Sequence, residues 1–114
     1  MAVRLHSVKY VTPEEISASE PKGRLVVLTV EVKNVGSKDG GFHPYGTMKW
    51  EDATTAAQEA STMDSTGSQD VDTTYHPGQA VTGDVVLDVP RKGGKVNFYD
   101  APGAPSLTFA LPSK

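Results

Sequence analysis

Residues 75–90 constrain the fold of this chain more than any other stretch. Pro77 and Gly78 predict a type II turn, because proline fixes its own φ and glycine tolerates a positive φ. Beyond the turn, four apolar residues of one parity can face a core: Val81, Val85, Leu87 and Val89. The polar residues between them can face water. Gly83 predicts a bulge or a close backbone approach, and Pro90 ends the strand. The stretch therefore indicates a half-buried β-strand.

Similar alternation recurs along the chain and predicts further short strands. Residues 3–12 form the first, with a change of face at His6 and Ser7 that indicates a bulge. Residues 24–35 are rich in β-branched side chains and predict a central strand. Residues 42–52 predict a strand that places Trp50, the one tryptophan, in the core. The remaining short strands are predicted at residues 71–75, 95–100 and 106–111.

The segments between these strands carry turn signals. Residues 12–15 resemble a helix start with Thr12 as N-cap, and we expect at most one helical turn there. Residues 91–94 predict a hairpin connection, and residues 100–105 another turn. Residues 53–60 fit either a short helix or a weak edge strand, and residues 61–68 a polar loop. We therefore treat residues 53–74 as a long polar loop or a short irregular element.

The whole pattern predicts one all-β domain spanning residues 1–114. The chain has 114 residues, of which 11 are glycine and 8 proline, a composition that suits many turns and short strands. About seven short strands at near-regular spacing are typical of an immunoglobulin-like antiparallel β-sandwich.

Charge and composition exclude several function classes. The net charge is -3 and no basic run is present, so we predict no nucleic-acid partner. The absence of cysteine removes disulfides and thiolate chemistry. No apolar stretch approaches the roughly 20 residues of a membrane-spanning helix, so we predict no transmembrane segment. No motif for catalysis or for a cofactor is found, and we predict neither.

The order of these segments resembles the DUF4352 family. The carriers are the strand at residues 25–36 ending in Lys-Asn-Val-Gly, the strand at residues 42–52, the Pro-Gly turn and strand at residues 77–90, and the closing residues 98–99 and 107–111. The resemblance implies an immunoglobulin-like sandwich without catalytic residues, with a distant likeness to a mycobacterial secreted antigen. It also implies export by Gram-positive bacteria, often as the outer part of a lipoprotein. The chain departs from the family in lacking the lipobox cysteine, and in having a polar loop where the family has an Asp-Gly turn after residue 52.

Six residues near the long loop form the candidate interaction surface. Tyrosines beside loops and clustered loop carboxylates suit contact with a partner. The candidates are Tyr45, Asp64, Asp70, Asp72, Tyr75 and His76. For Tyr45 and Tyr75, packing in the core is an equally good interpretation.

Metal binding is the alternative use of such side chains. His6, His43 and His76 could bind copper together with Met48 or Met63. The histidines show no ligand spacing, and the loop aspartates lack the spacing of a calcium loop, so we predict no metal site.

We therefore predict a non-enzymatic, exported binding module that presents loops or a sheet edge to an unknown protein or cell-envelope ligand. The expected location is extracellular or in the cell envelope, with a leader already removed; a cytoplasmic location is the alternative. Two other functions stay open: a copper-handling domain, and a structural assembly domain of intracellular or phage origin. The sequence leaves the oligomeric state open.

Overall fold

The computed structural model describes residues 1–18, 20–99 and 106–114. These residues form antiparallel strands and one short 3-10 helix, Glu14–Ile16. The strands are β1 (Ala2–Val11), β2 (Arg24–Lys33), β3 (Gly40–Phe42), β4 (Met48–Glu51), β5 (Gln58–Glu59), β6 (Thr73–Tyr75), β7 (Ala80–Val89), β8 (Lys95–Phe98) and β9 (Leu107–Ala110).

The strands form three sheets. Their orders are β1-β2-β7, β5-β4-β8-β9 and the two-stranded β3-β6. The predicted all-β class with antiparallel sheets is confirmed, and β2 is central in its sheet as predicted. None of the helices in the described ranges has the length and apolarity needed to cross a membrane.

One apolar cluster lies between the two larger sheets. Alternate residues of β2 face residues of β4 and β8 across it, and the buried set includes Val26, Leu28, Val30, Val32, Met48, Trp50, Val96 and Phe98. Each fully buried side chain of this kind contributes about 1.5–3 kcal/mol to the free energy of unfolding. The placement of Trp50 in the core is confirmed.

The opposite face of β2 is apolar only at its start. There Leu25 and Val27 pack with Val86, and Val11 and Ile16 cover them. The segment around the 3-10 helix thus shields this end of the sheet, which explains why β2 becomes polar on that face further along.

Three local predictions are confirmed by the backbone. The β1–β2 register shifts between Leu5 and Ser7, where the bulge was expected. The N–H of Glu15 donates to Thr12 Oγ1 at 3.3 Å, and the N–H of Thr12 donates to Glu15 Oε1 at 3.0 Å, as in a capping box. Gly78 has φ 85°, and the N–H of Gln79 donates to the carbonyl of His76 at 3.0 Å, as in a type II turn.

The alternation predicts one strand over residues 42–52, but this prediction is wrong, because the structure has two strands there, β3 and β4. The N–H of Thr47 donates to the carbonyl of Pro44 at 3.2 Å, and Gly46 has φ 79°. This turn separates β3 from β4 and places them in different sheets. The division, together with the short β5, raises the strand number above seven. For residues 53–60, the edge-strand alternative is correct, because β5 pairs with β4.

Residues 91–94 are not a hairpin connection, because β7 and β8 lie in different sheets. The segment crosses between the sheets over Trp50, whose Nε1–H donates to the carbonyl of Gly93 at 2.9 Å. Gly94 has φ 74°, and a Cβ there would come within 2.6 Å of the carbonyl oxygen of Glu51. The two glycines therefore allow a close crossing. The turn predicted at residues 100–105 lies outside the described residues.

Candidate functional site

The outer edge of β7 is partly covered by the segment at residues 60–72. The N–H of Asp88 donates to the carbonyl of Ala60 at 2.9 Å, and Ser61 forms a β-bridge with Leu87. Further along, the N–H of Asp84 donates to Ser68 Oγ at 2.9 Å. The segment therefore contacts β7 at two places and bows away from it between them.

Two buried apolar residues hold the ends of this segment to the core. Ala60 and Val71 are both buried in the apolar cluster between the sheets. Near the second of these anchors, a Cβ on Gly83 would lie 2.2 Å from the carbonyl oxygen of Gln69. The predicted close approach at Gly83 is confirmed, whereas a bulge is not, because the β2–β7 register is continuous.

A cleft of about 460 Å³ lies between the bowed segment and β7. Val85, Val86 and Leu87 contribute to its lining from the strand, and Met63 and Tyr45 from the loops. Met63 and Tyr45 are large apolar residues that are 86% and 58% exposed. A turn supports this wall, since the N–H of Gly46 donates to Ser61 Oγ at 2.8 Å.

Four aspartates line the cleft, and the candidate residues Asp64, Asp70 and Asp72 are among them. One carboxylate oxygen of Asp72 accepts a hydrogen bond from the N–H of Tyr45 at 3.3 Å, and the other lies 2.8 Å from His43 Nδ1. Asp70 accepts one from the N–H of Asp72 at 2.9 Å. With Tyr45, four of the six candidate residues thus meet at one cleft.

Sequence reasoning missed the fourth aspartate, Asp84. It lies on the polar face of β7, as the alternation predicts, and it accepts hydrogen bonds from the hydroxyls of Thr29 at 2.6 Å and Thr66 at 2.7 Å. These bonds join the bowed segment to the sheet. The sequence feature that could have indicated this role is the position of Asp84 on a strand that follows a loop rich in hydroxyl side chains.

The assignment of Tyr75 to the interaction surface is wrong. Its side chain is 1% exposed and its hydroxyl donates to the carbonyl of Val71 at 2.8 Å, because the short strand β6 turns it into the core. Burial raises the pKa of Tyr75, and the charges of Asp70 and Asp72 raise it further. His76 is exposed but does not line the cleft; its Nδ1 lies 2.8 Å from Asp39.

Comparison with known proteins gives the family of this chain. The model of a family described as a domain of unknown function, DUF4352, matches residues 1–102. The chain belongs to the DUF4352 family. No match was found among curated proteins or among solved structures.

The Lys-Asn-Val-Gly stretch of this DUF4352 domain has a structural role. The buried Asn34 donates from Nδ2 to the carbonyls of Lys38 and Tyr75, at 2.8 and 2.9 Å, and its Oδ1 accepts from the N–H of Gly36 at 2.9 Å. Its backbone also bonds the turn after β6, since its carbonyl accepts from the N–H of Gly78 at 2.9 Å. Asn34 therefore holds two loops together at this end of the DUF4352 domain.

The histidines are not brought together. Each lies beside a different carboxylate: His6 beside Glu31, His43 beside Asp72 and His76 beside Asp39. Met48 is buried in the core. Over the described ranges, no group of three or more histidine or acidic side chains could hold a metal ion.

Proposed function

We propose that this DUF4352 domain is a non-enzymatic, exported interaction module that contacts a partner protein at the cleft beside β7. The observation that carries the proposal is the cleft itself, a 460 Å³ recess with exposed Tyr45 and Met63 at its wall. Its volume falls within the usual range of ligand pockets, about 300–1,000 Å³.

The two exposed apolar side chains support a contact with protein. Aromatic residues and methionine are enriched at protein interfaces, and anchor residues usually fill pockets at the centre of a contact. Behind them, the segment at residues 60–72 is fixed by the buried Ala60 and Val71. A loop presented from a rigid scaffold is the usual arrangement for recognition.

Pairing along the open edge of β1 is less favoured as the binding mode. The bulge between Leu5 and Ser7 interrupts the regular edge, and the exposed cations Arg4 and Lys9 lie on the same strand. Bulges and charged side chains are devices that prevent another strand from adding to an edge. The cleft is therefore the better candidate than this edge.

The hydrogen bonding of the histidines supports a non-enzymatic role. Activation of a serine or threonine nucleophile needs a hydroxyl bonded to a base such as histidine. Throughout the part of the chain that the structure describes, the histidine ring nitrogens bond only to carboxylates.

Export is the second half of the proposal and has a separate test. It is supported by the membership of the DUF4352 family, which implies export. Fractionation of the producing cells with an antibody against the domain tests it. We expect the protein in the envelope or the medium; recovery with cytoplasmic markers alone would refute export.

The contact surface is tested by partner capture with matched variants. The bait is the whole domain, and the variant carries Tyr45→Ser and Met63→Ser. The control is Val35→Ser, because Val35 is an equally exposed apolar side chain, 65% exposed, that does not line the cleft. We expect cell-envelope extracts to yield a partner that the control retains and the double variant loses. If the double variant and the control retained the partner equally, the cleft would be refuted as the contact surface.

A further inference from the structure

On the outer edge of β7, Val86 lies between two positions that are already bonded. On one side, the N–H of Asp88 bonds to Ala60; on the other, the N–H of Asp84 bonds to Ser68. In an antiparallel pair, residues two apart direct their backbone groups to the same side. The N–H of Val86 therefore points away from β2, toward the segment at residues 60–72.

That N–H makes no hydrogen bond to any residue in the ranges 1–18, 20–99 and 106–114. The neighbouring carbonyl of Val86 is contacted by the hydroxyl of Thr62 at 3.5 Å. Val86 is only 5% exposed and lines the cleft. A buried backbone donor needs an acceptor, and in a cleft either water or a bound group can supply it.

The side chains around Val86 are acidic and lack cationic partners. Asp64, Asp70 and Asp84 form no salt bridge within the described residues, and the cleft lining contains no lysine, arginine or histidine. Only Asp72 has a neighbour of this kind, in His43. The charge of the cleft therefore complements a cation.

We propose that the occupant of the cleft is a lysine or arginine of a partner protein, carried on a short extended segment. The carbonyl next to that residue accepts from the N–H of Val86, its aliphatic stem packs against Met63, and its charged head lies beside Asp64 and Asp70. Lysine and arginine suit this arrangement, because their stems bury against apolar surface while the head stays solvated. The inference rests on the proposed function and specifies its partner.

The closed positions on either side limit the length of the segment. Ala60 and Ser68 already occupy the positions on either side of Val86, so only one rung of backbone pairing is available between them. A full additional strand does not fit. The partner therefore presents the basic residue from a loop or a chain end rather than from the edge of a sheet.

The test is an NMR titration of the ¹⁵N-labelled domain with acetyl-Gly-Lys-Gly-amide. Two matched probes accompany it: the norleucine peptide, which lacks the charge, and n-butylammonium, which lacks the carbonyls. We expect the lysine peptide to shift the amide of Val86 in a saturable way that added salt weakens. Asp64→Asn or Asp70→Asn should each weaken binding by about two- to fivefold. Asp39→Asn, which removes an exposed charge outside the cleft, should leave binding unchanged.

Each other outcome overturns the inference. Equal binding of the norleucine peptide would show that charge does not select the occupant. Equal binding of n-butylammonium would show a site for small cations. If no probe shifted the amide of Val86, the proposed backbone contact would be refuted. In all three cases the module itself still stands if partner capture depends on Tyr45 and Met63 but not on Asp64 and Asp70.

Discussion

Replacing Gly83 with alanine tests how the segment at residues 60–72 is held against β7. A Cβ at residue 83 would lie 2.2 Å from the carbonyl oxygen of Gln69, whereas Cβ contacts below 3.0 Å are essentially never found. The segment must therefore move by at least about 0.8 Å, the difference between those two distances. Because this contact is with backbone, no change of side-chain conformation relieves it.

The expected cost follows from the bonds next to the contact. Displacement of the segment weakens the bonds of Asp84 to Ser68 and Thr66, at 2.9 and 2.7 Å, each worth about 1 kcal/mol. Replacing a strand glycine with alanine by itself raises the free energy of unfolding by about 0.5 kcal/mol. We therefore expect Gly83→Ala to lower the free energy of unfolding by about 1.5 kcal/mol, or Tm by about 6 °C.

Urea denaturation followed by the fluorescence of the buried Trp50 measures this change. The matched control is Gly40→Ala, another strand glycine, where the nearest atom to a new Cβ is the flexible Met1 Cε at 3.2 Å. We expect the control to change stability by less than about 0.5 kcal/mol. Equal effects of the two substitutions would refute the reasoning about the Gly83 contact.

Three further substitutions probe the scaffold. Asn34→Ala removes three side-chain hydrogen bonds and should destabilise the fold by about 3 kcal/mol in urea denaturation, whereas an effect below about 1 kcal/mol would contradict its role in holding the loops. Trp50→Phe leaves the carbonyl of Gly93 without its donor and should cost about 2 kcal/mol, measured by circular dichroism; an unchanged midpoint would argue against that bond. Because the pKa of Tyr75 is raised in the fold, stability contributed by its protonated form is complete below about pH 10 and is lost as the pH rises above it. Tyr75→Phe should therefore flatten the alkaline fall in Tm, and an unchanged fall would show that other groups cause it.

Features set by neighbouring residues were predictable from the sequence. The alternation of β2 and β7, the bulge of β1 and the type II turn before β7 each depend on a few consecutive side chains. The capping box of Thr12 and Glu15 is a spacing of three residues, and it is present. These elements were sufficient to give the all-β class.

Features set by contacts between distant segments were not predictable. Residues 42–52 alternate well enough for one strand, but a turn at Pro44–Gly46 divides them between two sheets. Likewise, Gly93 and Gly94 suit a tight hairpin as well as they suit the observed crossing over Trp50. Local patterns do not distinguish which sheet the next strand joins, because that is decided by long-range packing.

The candidate site was predicted in part for the same reason. The acidic residues of the long loop stood out by composition, and they do line the cleft. The sequence could not show that the loop would leave β7 between Thr62 and Thr66, which is what creates the cleft. Tyr75 was misassigned because its neighbours are polar, although β6 turns its side chain inward.

Site-specific photo-crosslinking in the producing cells tests the central claim most directly. A benzoylphenylalanine at position 45 replaces an exposed aromatic side chain of the cleft wall, and the same residue at position 35 is the control outside the cleft. We predict a discrete crosslinked product from position 45 that position 35 does not give, and that Asp64→Asn combined with Asp70→Asn weakens. The same product from both positions, or from position 35 alone, would contradict the cleft beside β7 as the contact surface.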